Sequence, residues 1–241
     1  MQNKIRLDRA LVERRLVISR SQAESWIKLG KVFVSGQKIT KPGFLVGPDA
    51  VVDLQTTEQY VSRAGLKLAS VAQTLHLDFA NKVMLDVGSS TGGFTDYALQ
   101  HGATKVIAVE VGTGQLHPTL HNNPKIELHE QTDIRDIYEL SSTPDIVVID
   151  VSFISLRDIL PHIATLITKR TIVAAMVKPQ FEAQVAGLKH KGVIKNDRMR
   201  RDILKDFESW ARQYFVVIDK ADSEIAGGKG NLERFYKLQK G

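Results

Sequence analysis

The chain has 241 residues, 43% hydrophobic and 25% charged, which suits one α/β domain of ordinary size plus a small module. It contains no cysteine, which excludes disulfides, thiolate catalysis and cysteine zinc sites; no run of 18 apolar residues or apolar leader points to a membrane or to secretion. Net charge is +6, and residues 1–54 carry ten Lys and Arg against five acids, so most of the excess is N-terminal and points to a polyanion, nucleic acid first.

In chain order, Leu7, Ala10 and Leu11 share a helical stripe and predict a short helix over 6–16. Ser21 and Glu24 have capping-box spacing, and Ala23, Trp26 and Ile27 continue the helix until Gly30 ends it. Short strands follow at KVFVS, QKIT and AVVDL (50–54), with a turn at Ser35–Gly36. The basic residues of this stretch, Arg6, Arg9, Arg14, Arg15, Arg20, Lys28 and Lys31, are candidate RNA contacts; a solvated basic face is the plain alternative. Two helices and then small strands, with the phrase SRSQAESWIKLGKVFVSGQKITKPG, resembles the alpha-L RNA-binding domain. A polar stretch, LQTTEQY, sets the expected boundary, giving a module over 1–58 and a larger domain over 59–241.

The larger domain opens with a helix over 64–75 and then alternates. Strands are expected at 82–87, 105–111, 126–130, 145–152 and 171–178, and helices at 93–101, near 114–121, at 156–167 and at 197–212. YFVVIDKA and ERFYKL, joined by the turn Gly227–Gly230, suit a hairpin at one edge. This succession implies a mostly parallel sheet with helices on both faces.

KVMLDVGSSTGGFTDYAL (82–99) reads as strand, glycine turn and helix, the arrangement that opens a nucleotide pocket. Gly88, Gly92 and Gly93 do not fit the G-x-G-x-x-G of a dinucleotide site, and Asp86 would repel a pyrophosphate but suits a ligand carrying an ammonium and a sulfonium. The pattern resembles the first motif of S-adenosylmethionine-dependent methyltransferases. That resemblance makes Asp86, Gly88, Ser89, Ser90, Thr91, Gly92, Gly93 and Phe94 candidate cofactor contacts. Glu110, 24 residues after Asp86 at the end of the next strand, stands where a ribose hydroxyl pair is bound.

Asp150 and Lys178 each close an apolar strand and should project over the same sheet edge; Lys67 in SRAGLKL and Glu233 in GGKGNLERF stand beside glycines. In sequence they follow the order of the Lys-Asp-Lys-Glu tetrad of FtsJ-like ribose 2′-O-methyltransferases. SRAGLKL, DVGSSTGGFTD, VGTGQL, DVSFISL, VKPQFEA and GKGNLERF together resemble the TlyA family over nearly the whole chain. What that resemblance implies is a Rossmann-like methyltransferase sheet with a small N-terminal α+β RNA-binding domain. The implied activity is S-adenosylmethionine-dependent methylation of cytidine riboses in ribosomal RNA or ribosomal subunits, in the cytoplasm, with Lys67, Asp150, Lys178 and Glu233 as the catalytic set.

Three positions depart from the family pattern: Glu110 replaces the usual Asp, Asp133 a frequent Asn near the adenine edge, and Thr113 a common aromatic. Lys178 is the candidate base for the ribose proton; a free lysine is mostly protonated at neutral pH, so holding the hydroxyl oxygen is the other role open to it. Phe153 either stacks on a base or belongs to the core. Without cysteine, pyrimidine C5 methylation is disfavoured, and Asp150-Val151-Ser152-Phe153 is unlike the Pro-Pro motif of amine methylation. His117 and His121 have i, i+4 spacing, but Pro118 and the lack of a third ligand argue against a metal. The run Lys189, His190, Lys191, Lys195, Arg198, Arg200, Arg201 is either a second RNA-facing loop or a solvated face. A nicotinamide-dependent oxidoreductase and a non-enzymatic RNA-binding or membrane-acting protein are the competing classes.

Overall fold

A computed structural model of the chain describes residues 4–17, 19–55, 60–185, 192–227 and 230–241. The N-terminal part holds β1 (Ile5–Arg6), α1 (Leu7–Glu13), α2 (Arg20–Lys28), β2 (Val32–Val34), β3 (Gln37–Lys38), β4 (Leu45–Val46) and β5 (Val52–Leu54). β2 pairs with β3 through a tight turn in which Ser35 and Gly36 both take positive φ, the geometry that lets two strands twist together. The capping of α2 differs from expectation. Ser19, not Ser21, is the N-cap, its hydroxyl accepting from the Gln22 amide, which frees the Gln22 side chain to donate to the Tyr60 carbonyl at 2.8 Å. β1, pairing with β4, is a further addition; two residues leave no periodicity to read.

The larger part comprises α3 (Arg63–Ala72), β6 (Val83–Val87), α4 (Gly93–Gln100), β7 (Lys105–Val109), β8 (Ile126–His129), β9 (Ile146–Ile149), α5 (Leu160–Leu166), β10 (Ile172–Val177), α6 (Pro179–Val185), α7 (Asp197–Ala211), β11 (Phe215–Asp222) and β12 (Arg234–Lys240). Seven strands form one sheet in the order β11-β12-β10-β9-β6-β7-β8. All neighbours from β10 to β8 are parallel; β12 runs antiparallel and lies inside the edge, between β10 and β11. The order turns back between β6 and β9, so a crevice opens there beyond the carboxyl ends of the strands. Two expected helices are reduced. Only a 3-10 turn forms at Pro118–Leu120, and another at Leu156–Asp158 precedes α5. Conversely, α6 follows β10 directly, where Pro179 occupies the first helical position and needs no amide partner.

Alternation along the strands sends their residues to two cores. Met84, Val106, Val148 and Phe235 pack with α3, α4 and the N-terminal module, where Leu7, Leu11, Trp26 and Ile27 belong to the same apolar cluster; Leu85, Ile107, Val147 and Tyr236 pack with α5 and α7. The crossing of α3 over α4 is set by two glycines. A methyl group at Gly65 would lie 2.5 Å from Tyr60 Cβ and 2.9 Å from the Gly93 carbonyl, and one at Gly93 would lie 2.8 Å from Ala64 Cβ. Alanine favours a helix interior by about 1 kcal/mol over glycine, so a net loss on Gly65→Ala isolates this clash. Urea unfolding should show about 1–3 kcal/mol of destabilisation, whereas Gly47→Ala, with nothing within 4 Å, should change stability by less than about 0.5 kcal/mol. Equal stability of both variants would remove the crossing as a constraint.

Candidate active site

The crevice between β6 and β9 holds two adjoining cavities. The larger, about 320 Å³, is lined by Glu110, Val111, Asp133, Ile134, Val151 and Phe153 among others; the smaller, about 140 Å³, by Ala64, Asp86, Thr91, Phe94 and Lys178. Gly88, Ser90, Asp150 and Ser152 line both, so the two form one elongated space. Its size and its apolar walls with a few polar groups are those of a small-molecule site.

Asp86 is fully buried. Its Oδ2 accepts from the Thr95 hydroxyl at 2.7 Å, while Oδ1 has no hydrogen-bond partner among the described residues. Burial pushes its carboxyl up to about 7; the Thr95 bond opposes that shift and the charge of Asp150 adds to it. A buried carboxylate with a spare oxygen at the wall of a cavity fits a cationic group. Glu110 accepts from the Ser90 and Gly112 amides, both at 2.8 Å, and keeps acceptor capacity for a hydroxyl pair. Asp133 lines the larger cavity, with Arg135 clasping both its oxygens at 3.0 and 2.7 Å and holding the carboxyl below its ordinary value. Chain geometry explains the glycines: Gly88 has φ +81°, and a methyl there would lie 2.7 Å from the Asp150 carbonyl, while one at Gly92 would strike Leu116 and Leu120. Gly92 and Gly93 thus serve helix packing, and Ser89 and Ser90 stay beside the cavity, Ser90 itself with φ +47°.

The four ionisable residues expected at the sheet edge form two ion pairs. Lys178 Nζ lies 2.5 Å from Asp150 Oδ1, and Lys67 Nζ lies 2.5 Å from Glu233 Oε2. All four side chains are largely buried. The ladder brings the pairs together: Val177 pairs with Arg234, so Lys178 and Glu233 each stand one residue beyond that rung on adjacent strands, about 5 Å apart between Cα atoms.

The family profile of FtsJ-like methyltransferases matches residues 60–240, and that of the S4 domain matches residues 5–52. The chain belongs to the FtsJ-like methyltransferase family. Two curated relatives and one solved structure extend the match to nearly full length. The 16S/23S rRNA (cytidine-2′-O)-methyltransferase TlyA of Mycobacterium tuberculosis is 33% identical, with 99% of this chain and 91% of that protein covered. Hemolysin A of Brachyspira hyodysenteriae is 36% identical over 95% of this chain and 97% of its own. A solved hemolysin-type protein of Streptococcus thermophilus, 34% identical, covers the whole chain and 90% of its own at a TM-score of 0.72.

Set against this FtsJ-like domain, several residues that sequence reasoning passed over stand at the site. Ser152 accepts a hydrogen bond from Lys178 Nζ at 2.7 Å. Glu182 in α6 is buried and ties down the 152–157 loop, accepting from the Ser155 hydroxyl at 2.7 Å and the Leu156 amide at 2.8 Å. The KPQFEA phrase signalled it, but only the helix after β10 shows what it touches. Of the two readings of Phe153, the core one is removed: it is 88% exposed, and it takes φ +67°, a strained conformation for an aromatic residue.

In the S4 module the cations divide. Arg14 donates to the carbonyls of Ala50, Gly47 and Pro48 at 2.5–3.2 Å, which makes it a staple of the fold and corrects its reading as an RNA contact. Arg6 and Arg20 both grip the buried Asp8 at 2.8 Å, holding its carboxyl down at about 2. Arg9 faces Glu13 at 3.5 Å, and Arg15, Lys28 and Lys31 are exposed. Within the second basic run Arg200 is likewise structural, bonding the Leu232 carbonyl and Asp222, whereas Lys189, His190 and Lys191 lie outside the described residues. His117 and His121 bond Thr119 and the Leu116 carbonyl, and no metal cluster occurs among the described residues.

Asp86 gives this site a pH signature. The unfolded carboxyl ionises near its ordinary 3.8 and the folded one near 7, so over that interval the folded chain keeps a proton that the unfolded chain has lost. The contribution is full below about pH 4 and disappears as pH rises through 7, at a slope approaching 1.4 kcal/mol for each pH unit between. Urea midpoints of the ligand-free protein should therefore fall relative to Asp86→Asn as pH rises across that window. Parallel curves would show that Asp86 ionises normally.

Proposed function

We propose that this chain transfers the methyl group of S-adenosylmethionine to a ribose 2′-hydroxyl of ribosomal RNA, with cytidine as the modified nucleoside. The observation that carries this reading is Lys178, which lines the smaller cavity and pairs with Asp150, a residue common to both cavities, while the neighbouring strand brings the Glu233–Lys67 pair alongside. S-adenosylmethionine, when bound, supplies a methyl group made electrophilic by its sulfonium. Asp86 would hold the ammonium, Ser89 to Thr91 and Gly88 would bound the methionine part, Glu110 would accept from the ribose hydroxyls, and Val111, Ile134 and Val151 would cover the adenine with Asp133 at its edge.

The residues of the sheet edge handle the acceptor. A ribose hydroxyl is a poor nucleophile and must be held in line and relieved of its proton. Lys178 offers three N–H directions: Asp150 takes one, Ser152 another, and the last is left to hold the ribose oxygen, whose proton passes to solvent as the bond to the methyl carbon forms and the carbon–sulfur bond breaks. Lys67 and Glu233 flank this group and hold the opposite side of the acceptor. Phe153, projecting from the rim beside Ser152, offers a face for the target base. The division proposed is a module over 1–58 that positions RNA through phosphate contacts, with Arg15, Lys28 and Lys31, exposed and without a side-chain partner among the described residues, as contacts, and a transferase domain over 59–241. Ribosomal RNA as substrate places the work in the cytoplasm; no helix among the described residues is long and apolar enough to cross a membrane.

Two variants test this reading. Lys178→Ala should lower methyl transfer to ribosomal RNA by at least about 100-fold while RNA binding is retained; undiminished turnover would remove Lys178 from the chemistry. Phe153→Ala should lower kcat/KM for RNA by roughly 5- to 100-fold, the range of a lost base stack, and by more than it weakens donor affinity in calorimetry, although Phe153 also lines the larger cavity. A normal kcat/KM would reduce Phe153 to a bystander.

A further inference from the structure

The face of the domain covered by α7 carries a charge pattern that the methyl-transfer site does not use. At 3.6 residues per turn, Arg198, Arg201, Lys205 and Arg212 fall within roughly a 60° sector of α7 and run about 21 Å along it. The acids of the same helix lie to either side. Asp206 turns toward the 3-10 turn before α5 and binds Arg157 at 2.6 Å, and Glu208 turns toward β11 and binds Lys220 and Arg212. Buried residues on the opposite side, Ile203, Leu204, Phe207 and Ala211, lock this orientation onto the sheet.

Beside the basic stripe runs a groove of about 450 Å³, lined by Arg201, Lys205, Arg212, Lys220 and Arg234 with Glu208 as its one acid. Some of these cations are already engaged, Arg234 by Asp222 and Lys220 and Arg212 by Glu208. Arg201 and Lys205 are exposed and have no side-chain partner among the described residues. The groove reaches the edge of the sheet at Arg234, the residue after Glu233. One end thus lies at the same strand ends as the site but on the opposite face of the sheet, Arg234 turning to Asp222 and Glu233 to Lys67 of α3, and the other leads away along α7.

We propose that this groove is a second track for the RNA phosphate backbone, engaging the strand that extends from the methylated nucleotide, with Arg201 and Lys205 as its contacts. A ribose held at the sheet edge brings phosphates on both sides of it, and the S4 module, packed against α3 and α4, lies on the other face of the sheet. Cations on the α7 face hold the strand from the second side, fixing its direction across the site. The stripe carries charge without base-reading geometry, so its contribution is affinity and orientation rather than sequence choice. This inference rests on the reading of the chain as an RNA methyltransferase.

The test compares Arg201→Ala/Lys205→Ala with Lys169→Ala/Arg170→Ala, an equal charge loss at exposed positions before β10, at the opposite end of the strands. Binding of the full-length protein to a ribosomal RNA fragment is measured against salt, and methyl transfer is measured over RNA concentrations up to saturation. The groove variant should lower the slope of log K against log salt by about 1–2 and raise KM for RNA several-fold at unchanged kcat, while the control keeps the wild-type slope. An unchanged slope in the groove variant, or an equal fall in both, overturns the proposal. If the wild type binds RNA but transfers no methyl group, the functional reading fails separately, and the slopes still decide whether the groove meets RNA.

Discussion

The close crossing of α3 over α4 is the constraint on which the other features depend. Gly65 and Gly93 let the two helices approach until backbone meets backbone, and the Asp96 carboxylate then accepts from the Val61 amide at 2.7 Å. That contact fixes three things at once. It sets the N-terminus of α4 and so the loop around the smaller cavity; it aims Lys67, one turn beyond Ala64, at Glu233; and it holds Tyr60, whose carbonyl takes the Gln22 side chain of the S4 module. A glycine at each face is the condition, because any side chain would separate the helices by more than a hydrogen bond spans.

Sheet topology supplies the second half of the site. β10 has a parallel neighbour carrying an acid at its carboxyl end and an antiparallel neighbour carrying an acid at its amino end. Lys178 therefore pairs with the acid of its parallel neighbour, while the antiparallel neighbour sets Glu233 beside it in the ladder and pairs that acid with Lys67, an arrangement a purely parallel sheet would not provide. The inward position of β12, which follows from a hairpin that inserts its second strand, is what delivers Glu233.

Much of this was legible from residue patterns. The alternating strands, the acid-ended β6 and β7 and the charged ends of β9 and β10 came from apolar runs that stop at an ionisable residue, a signal that survives without tertiary knowledge. Ser19 and Ser21 each stand three residues before a polar partner, Gln22 and Glu24, so the spacing alone does not decide between them as the cap. Arg14 looked like any surface cation; its three carbonyl partners lie more than 30 residues away in sequence. The segment near 114–121 has helical spacing, but Gly114 at φ +61° and Pro118 allow only a single 3-10 turn.

The two ion pairs also explain how an amine-rich edge is kept in place before RNA arrives. A lone ammonium with so little solvent would be costly, and replacing its hydration requires acceptors already in position. Asp150 and Glu233 supply them, each amine keeps N–H capacity beyond its carboxylate partner, and the edge stays near neutral overall. A neutral edge does not attract phosphate, so the long-range pull on RNA must come from elsewhere, and the exposed cations of the S4 module and of α7 are placed to exert it. In the proposed reaction recruitment and chemistry thus use different charges: unpaired ones on the surface to gather the polyanion, and paired ones at the sheet edge to receive a single hydroxyl.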